Sequence, residues 1–407
     1  MREVTATLLA IRKSLARLSM VIASVGAGHA QVPLTAEAHL PPEYLTVLES
    51  RAARADLSCQ IEHVKPFLGF DLRFHTYYRV TLPNKLWDEA VGALQVVVRV
   101  RPVKQANPVY LAQRIVVPQF PTETKGMGLF AGGFDLGPGL YHVDWMMRDN
   151  VGRVCSSHWE LEAKLSSRER NVPLTLPDGA IAERLVTPFE DEPPSDRIAA
   201  RGLRVKILLN VSPPGAKESL LRPQYAAVLV SMLRGIVREP NVSHLALIAF
   251  NLRAQKIVYR NDEGEPIDFA ALGKFLQAPL AGTVSYRLLL DRQSEARFVT
   301  KLLIDQLGQR TSSQDAIIIV GPKVTLEKHA SLDLLREGGT TMCPIFYVNY
   351  NPNPFEEPFP DTIGSALKAY GGAATKYEID QPHAFGAAMR DMLLRLGRAR
   401  AQSSLPN

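Results

Sequence analysis

Short apolar runs alternate with polar residues between residues 58 and 165, and Pro, Gly and Asn separate the runs. Alternation with a period of two residues predicts β-strands, because successive side chains of a strand point to opposite faces. No convincing helical pattern interrupts them. This region therefore predicts an all-β sandwich of immunoglobulin-like type. The clearest strand patterns span 94–101, 114–117, 139–147 and 153–161, and the last two predict a hairpin.

The hydrophobic pattern changes beyond residue 202, where runs rich in aliphatic and β-branched residues alternate with segments of helical periodicity. Such runs are typical of strands buried on both faces of a parallel sheet. The pattern predicts an α/β doubly wound C-terminal domain with helices on both sides of its sheet. Strands are predicted at 203–211, 244–250, 315–320 and 344–349, an added strand at 285–290, and helices at 225–237, 294–307 and 383–396.

The 407 residues allow two domains that each bury a core. Residues 31–57 form an N-terminal extension before the sandwich at 58–165. The Ser-, Glu- and Pro-rich stretch 166–201 has the composition of an extended linker. The C-terminal domain spans 202–396, and 397–407 is predicted to be a disordered tail.

The first thirty residues carry basic side chains, then an apolar run at 18–25, then small residues ending at Ala30. This order is typical of a secretory signal peptide cleaved between Ala30 and Gln31. The alternative is an amphipathic N-terminal helix of a cytoplasmic protein. No later stretch is long enough to span a bilayer. We expect a secreted or periplasmic protein with no membrane span after cleavage.

The formal net charge is +6, and no Lys/Arg run is interleaved with aromatic residues. This balance argues against nucleic-acid binding. The three cysteines are Cys59, Cys155 and Cys343, and none is part of a CxxC pair. Cys59 and Cys155 lie at the ends of the predicted sandwich and could form a disulfide; two separate buried thiols are the alternative. Cys343 is expected to be a buried thiol.

The end of the chain shows a strand at 344–349, a helix at 363–372 closing on a Gly-Gly pair, a strand at 376–379 and a helix from His383. A helix that closes in a left-handed conformation needs a residue without a Cβ atom. In this order of elements the region from residue 202 to residue 396 resembles the von Willebrand factor type A family. The resemblance implies binding of a protein partner at the carboxyl ends of the strands.

Members of that family that bind a divalent cation use an Asp-x-Ser-x-Ser motif, a loop Thr and an Asp after the fourth strand. Here the motif positions hold Asn210, Ser212 and Pro214, and Gly321 stands where the last Asp is expected. Thr283 corresponds to the loop Thr. Hard cations require oxygen ligands, anionic ones above all. The resemblance therefore implies a domain that binds its partner without a metal or other cofactor.

The residues expected to take part in partner binding lie at the predicted strand ends. Besides those of the altered motif, they include two Asn residues of the Pro-rich loop that follows the strand at 344–349. In an open α/β sheet this edge is where ligands usually bind. The candidate binding residues are Asn210, Ser212, Thr283, Asn351 and Asn353. The alternatives are that Ser212 and Thr283 cap the adjoining turn and helix, and that the Pro-rich loop is an ordinary surface loop.

No Gly-x-Ser-x-Gly or His-Glu-x-x-His motif is present, so no catalytic residue is predicted. His142 and Asp144 share one face of a predicted strand and are interpreted as a solvent-facing polar pair, whereas Trp145 is expected in the core. Gly132 and Gly133 are interpreted as a turn. The alternatives to partner binding are an envelope hydrolase, which a deep pocket at His142 or His158 beside a nucleophile would favour, and a structural spacer in an envelope assembly.

Overall fold

The computed structural model forms two compact units. The first comprises Met1–Phe67, Phe74–Lys164 and Asp178–Val186, and the second comprises Leu68–Arg73, Leu165–Pro177 and Thr187–Asn407. The structure describes residues 32–33, 40–83, 93–105, 107–116, 127–184, 189–190, 202–214, 221–262, 264–277, 291, 293–308, 314–326, 328, 330–337, 343–351, 360–370 and 374–403. The predicted signal peptide, the strand at 285–290, the Gly-Gly pair, Thr283 and Asn353 lie outside these residues.

The elements of the first unit are almost all strands. They are β1 (Val32–Pro33), α1 (Pro42–Ser50), β2 (Gln60–His63), β3 (Phe67–Leu68), β4 (Phe74–Pro83), β5 (Ala93–Pro102), β6 (Val109–Val116), β7 (Met127–Leu136), β8 (Gly139–Arg148), β9 (Val154–Ala163) and β10 (Ile181–Glu183). One antiparallel sheet has the order β1-β6-β5-β8-β9, and the other has the order β10-β7-β4-β2. The predicted hairpin is formed by β8 and β9.

The core of the first unit lies between its two sheets. Tyr78 of β4 and Trp145 of β8 are fully buried and meet edge to face, with ring centroids 5.8 Å apart. The core position predicted for Trp145 is therefore confirmed. Helix α1 covers the outer face of β5 and β8, where Tyr44, Val47 and Leu48 pack on Val97 and Met146. The predicted N-terminal extension thus contributes a helix that buries part of a sheet face.

The second unit contains a six-stranded sheet and the remaining helices. Its elements are β11 (Leu203–Asn210), α2 (Pro223–Val237), β12 (Val242–Asn251), β13 (Lys256–Asn261), α3 (Phe269–Gln277), α4 (Ser294–Leu307), β14 (Ala316–Pro322), α5 (Leu332–Glu337), β15 (Ile345–Tyr350), α6 (Thr362–Ala369), β16 (Thr375–Ile379) and α7 (Pro382–Ser403). The sheet order is β13-β12-β11-β14-β15-β16. Among the described helices, none combines the length and apolar character needed to cross a membrane.

The strands of this sheet are parallel except at one edge, where β13 runs antiparallel to β12. Its central strands are buried throughout, and one face packs on the apolar sides of α4 and α6. Because parallel strands share a direction, the carboxyl ends of β11, β14, β15 and β16 meet at one edge of the sheet.

The predicted fold class is wrong. Among the described residues, strands account for 39% and helices for 28%. Two of the three sheets are antiparallel, so the alternation of strand and helix on which the doubly wound assignment rested does not dominate the fold. In the C-terminal part, β12 returns through residues 252–255 directly into antiparallel β13, without a helix between them. Gln255 adopts φ +51° in that turn. A short exposed edge strand has a weak hydrophobic pattern, which is why the periodicity did not predict it.

The predicted linker at 166–201 is also more structured than its composition suggested. Residues 178–186 belong to the first unit, where β10 pairs with β7. The phenolic hydroxyl of buried Tyr141 donates to the carbonyl of Ala180 over 3.2 Å and to that of Gly137 over 2.8 Å. Part of the segment is therefore a strand held by the sheet and not an extended connection.

Candidate functional site

The carboxyl edge of the C-terminal sheet brings together two groups of polar residues. One group, at β11, contains predicted binding residues and is closed to solvent. The other, at β15 and β16, is charged and reaches the surface. The two groups differ in what they can bind.

Asn210 and Ser212 form the closed group. Both are completely buried. The Asn210 amide donates to the carbonyl of Pro322 over 3.1 Å, and its Oδ1 accepts from the amide and the hydroxyl of Ser212. The Ser212 hydroxyl also accepts from the amide of Leu252 over 2.7 Å. These side chains satisfy backbone groups at the strand ends, so the prediction that they contact a partner is corrected here.

The packing around Gly321, within β14, leaves no room for the carboxylate that the family motif has at this position. A Cβ atom at this position would lie 2.5 Å from Cβ of Asn210 and 2.6 Å from its backbone oxygen. Close packing in the interior leaves no room for such contacts. The neighbouring strand occupies the space that an aspartate side chain would need.

Asp361 is the centre of the charged group. It caps the N-terminus of α6, where its Oδ1 accepts from the amide of Gly364 and from the hydroxyl of Tyr347, each over 3.0 Å. Its Oδ2 accepts from the side-chain Nδ2 of Asn349 over 3.2 Å and lies 3.1 Å from Nζ of Lys376. Both oxygens of this nearly buried carboxylate are therefore satisfied.

Lys376 extends the charged group to the surface. Its ammonium also lies 2.9 Å from Oε1 of Glu378, whose side chain is 66% exposed. The parallel register pairs Lys376 with Tyr347 and Glu378 with Asn349, so the four side chains share one face of the sheet. The ammonium thus bridges Asp361 and Glu378, two carboxylates that would otherwise repel each other or attract an external cation.

The pKa values in this group follow from the contacts. Burial, with the nearby charge and hydrogen bond of Asp361, raises the pKa of Tyr347 well above its ordinary value. The hydrogen bond from Lys376 lowers the pKa of Glu378. Burial alone would lower the pKa of Lys376, but its bonds to Glu378 and Asp361 raise it. At neutral pH Glu378 is therefore ionised and Lys376 is protonated.

The open rim, defined as Asn351, Lys376 and Glu378, is what this edge offers to a partner. The amide of Asn351 continues the β15–β16 ladder with a bond of 2.8 Å to the carbonyl of Ile379, and its side chain is half-buried. Asn353, the other predicted loop residue, is outside the described residues. Sequence reasoning missed Asp361 and Lys376, although an Asp directly before an apolar helical segment is a recognisable N-cap signal.

Replacing Lys376 with methionine should lower the free energy of unfolding by about 1–2 kcal/mol at pH 7, because two carboxylates lose a charged hydrogen-bond partner. The folded-state pKa of Glu378 is lowered, so its contribution exists above its unfolded pKa of about 4.3 and is lost as the pH falls through the folded value. We therefore expect a clearly smaller loss at pH 3. Denaturant unfolding followed by far-UV circular dichroism at both pH values measures this.

Lys274→Met is the matched control for that experiment, since Lys274 is an exposed lysine on α3. Its effect should stay within about 0.5 kcal/mol at both pH values, as for surface substitutions in general. An equal loss for Lys376→Met at pH 7 and pH 3 would contradict the bridging role of Lys376.

The first unit contains the histidines on which the hydrolase alternative depends. Nδ1 of His158 lies 3.0 Å from Oδ1 of Asp144, and Arg99 binds Oδ2 of the same carboxylate at 2.8 Å and 2.7 Å. Asp144 is 1% exposed because α1 covers this sheet face, so the predicted solvent-facing pair with His142 is wrong. His142 instead lies 3.2 Å from Glu160.

An oriented Asp–His pair can activate a nucleophile only if a hydroxyl or thiol lies at the other ring nitrogen. Nε2 of His158 is buried and has no hydrogen-bond partner in the described part of the chain. Neither His142 nor His158 is hydrogen-bonded to a Ser, Thr or Cys side chain there. The described residues therefore place no nucleophile at either histidine.

Comparisons with known proteins give little further direction. No family model matches the chain, and no curated protein matches it. A mutant of the PilB minor pilin from Streptococcus sanguinis aligns with 99% of this chain and 100% of its own, at 8% identity and a TM-score of 0.30. The PilB minor pilin itself covers 76% of this chain and 89% of its own at 7% identity and a TM-score of 0.28.

A β-glucosidase from Listeria innocua in complex with glucose aligns with 27% of this chain and 16% of its own, at 10% identity and a TM-score of 0.16. Similarities at TM-scores this low assign neither a family nor an activity. The resemblance to the von Willebrand type A family accordingly stays a prediction from sequence.

Proposed function

We propose that the chain is a non-catalytic, exported protein that binds a protein partner through the open rim at the carboxyl edge of the C-terminal sheet. The observation that carries this proposal is the ion-pair chain Asp361–Lys376–Glu378. Its inner end is fixed by the helix cap, and its outer end is exposed. A charged group held in a defined geometry at a rim favours specificity in an interface.

The proposed interaction needs no divalent cation. The carboxylates that face each other at this edge already share an internal ammonium. The motif positions hold the neutral, buried Asn210 on β11 and Gly321, which has no side chain, on β14. A hard cation bound at the rim would have to displace Lys376 from both carboxylates. Partner binding should therefore be insensitive to chelators.

Site-specific photo-crosslinking tests the proposal in the organism that produces the protein. A photoreactive residue replaces Asn351 in one variant and Glu378 in another, and cells are irradiated with and without EDTA. A photoreactive residue at Lys274, outside the rim, is the matched control. We expect the same discrete adduct from both rim positions, unchanged by EDTA, and no such adduct from the control.

Three outcomes would contradict the proposal. If neither rim position yields a discrete adduct while the exported protein is present, the rim is not a binding surface. If the adduct disappears with EDTA, the interaction uses a cation and the internal ammonium does not replace it. Recovery of uncleaved protein in the cytoplasm alone would reject export.

A further inference from the structure

A second polar pocket lies on the face of the C-terminal sheet, apart from the open rim. It measures about 190 Å³ and its lining includes Lys206, Arg260 and Gln306. Lys206 lies on β11 opposite Ala246 of β12, and Arg260 lies on β13 opposite Ile248 of β12. Ala246 and Ile248 are two residues apart on β12, so this register places both cationic side chains on the same face of the sheet, on the two strands that flank β12. Gln306 of α4 lies over the same face.

Lys206 is unusual because it is buried within an otherwise apolar strand. It is 5% exposed, and its Nζ donates to the carbonyl of Gln306 over 3.3 Å. An ammonium has three donors, so this single contact leaves two N–H groups for another acceptor. The bond also satisfies a carbonyl in the last turn of α4, which is the structural part of its role.

The charge of Lys206 is not balanced by an acidic neighbour. Neither Lys206 nor Arg260 forms an ion pair with a carboxylate in the described residues, although Asp262 also lines the pocket. Burial, and then the positive charge of Arg260, lower the pKa of Lys206. Two cations thus face one small cavity, and burying a charge without a partner is costly.

We propose that this pocket binds a small oxyanion, with Lys206 as the buried donor and Arg260 as the exposed one. The Arg260 guanidinium presents a planar set of N–H donors that matches the oxygens of carboxylates and of tetrahedral oxyanions. Lys206 adds a point charge at the buried end of the pocket. The oxyanion is either a free inorganic ion or the carboxylate of another molecule. This proposal is independent of the function proposed for the open rim.

Calorimetric titration of the full mature chain with sulfate and, separately, with acetate tests the pocket at constant ionic strength. Sodium chloride makes up the rest of the ionic strength, so that binding at the site is separated from general salt effects. We expect saturable binding at one site for at least one of the two anions. Tighter sulfate binding identifies an inorganic tetrahedral ion as the ligand type, and tighter acetate binding identifies a carboxylate.

Variants decide whether the binding belongs to this pocket. Arg260→Gln should weaken the affinity about tenfold or more, which corresponds to the loss of one charged contact. Lys206→Met should abolish binding, but it also removes the hydrogen bond between Lys206 and α4. Arg260 is exposed, so Arg260→Gln tests the site without disturbing the fold. Lys301→Met, an exposed change on the same helix α4, is the control and should bind as the unmodified chain does.

The proposal is overturned if neither anion binds saturably to the unmodified chain. It is also overturned if Arg260→Gln binds with unchanged affinity, because the site would then lie elsewhere.

Discussion

Replacing both Cys59 and Cys155 with serine should lower the free energy of unfolding of the first unit by about 4–5 kcal/mol in the chain-entropy model. The structure joins these residues by a disulfide whose Cα atoms are 6.3 Å apart, across a sequence separation of 96 residues. Cys59 directly precedes β2 of one sheet, and Cys155 lies in β9 of the other. The bond therefore ties the two sheets together and restricts a long loop in the unfolded chain.

Tryptophan fluorescence isolates this effect, because the buried Trp145 lies in the first unit and the sequence of the second unit contains no tryptophan. A denaturant titration followed by fluorescence should show a lower midpoint for the double variant. Cys343→Ser, in the second unit, should leave that transition unchanged. Three reactive thiols per denatured, non-reduced chain, or an unchanged midpoint for the double variant, would contradict the stabilising disulfide.

Local patterns predicted the strands that pair with their neighbours in sequence. The β8–β9 hairpin was readable because its turn is built from short-range contacts. Asp149 accepts from the amides of Val151 and Arg153 and binds the Arg153 guanidinium. An Asp that bonds to backbone amides two and four residues later needs no information from the rest of the chain.

Burial set by distant segments was not predictable in the same way. Asp144 follows the alternation of an exposed position, yet α1 covers it, and Arg99 and His158 satisfy it. Gly132 and Gly133 suggested a turn but lie within β7 opposite Tyr78 and Tyr77. A Cβ atom at Gly132 would lie 2.2 Å from the Tyr78 hydroxyl, so this glycine makes room for an aromatic ring.

The charged group at the sheet edge and the pocket at Lys206 differ in how far the sequence alone reveals them. In the charged group, Asp361 and Lys376 are fifteen positions apart and meet because β15, which precedes Asp361, is the parallel neighbour of β16. In the pocket, Lys206 interrupts an apolar strand, which is a visible anomaly, whereas its partner Arg260 lies on the edge strand that periodicity missed. The sequence can show that a single residue such as Lys206 is unusual, but which residues come into contact depends on the order of the strands in the sheet.

Replacing Gly321 with aspartate should destabilise the C-terminal unit by about 3–5 kcal/mol, the range for a buried charge without a partner. The new Cβ would overlap Asn210, which is itself completely buried and held by Pro322 and Ser212. Gly321→Ala adds only the steric part and should cost about 1–3 kcal/mol. Denaturant unfolding by far-UV circular dichroism measures both, and the tryptophan-monitored transition of the first unit should not move.

Gly397→Ala is the matched control, because a Cβ at this exposed position of α7 meets no atom within 4 Å. An alanine inside a helix is favoured over glycine by up to about 1 kcal/mol, so this variant should be at least as stable as the unmodified chain. If Gly321→Asp proved as stable as the unmodified chain and bound Mg²⁺, the edge would have room for the missing carboxylate. The lack of a carboxylate at this edge would then be a matter of residue type alone, and the close packing at Asn210 would not be its cause.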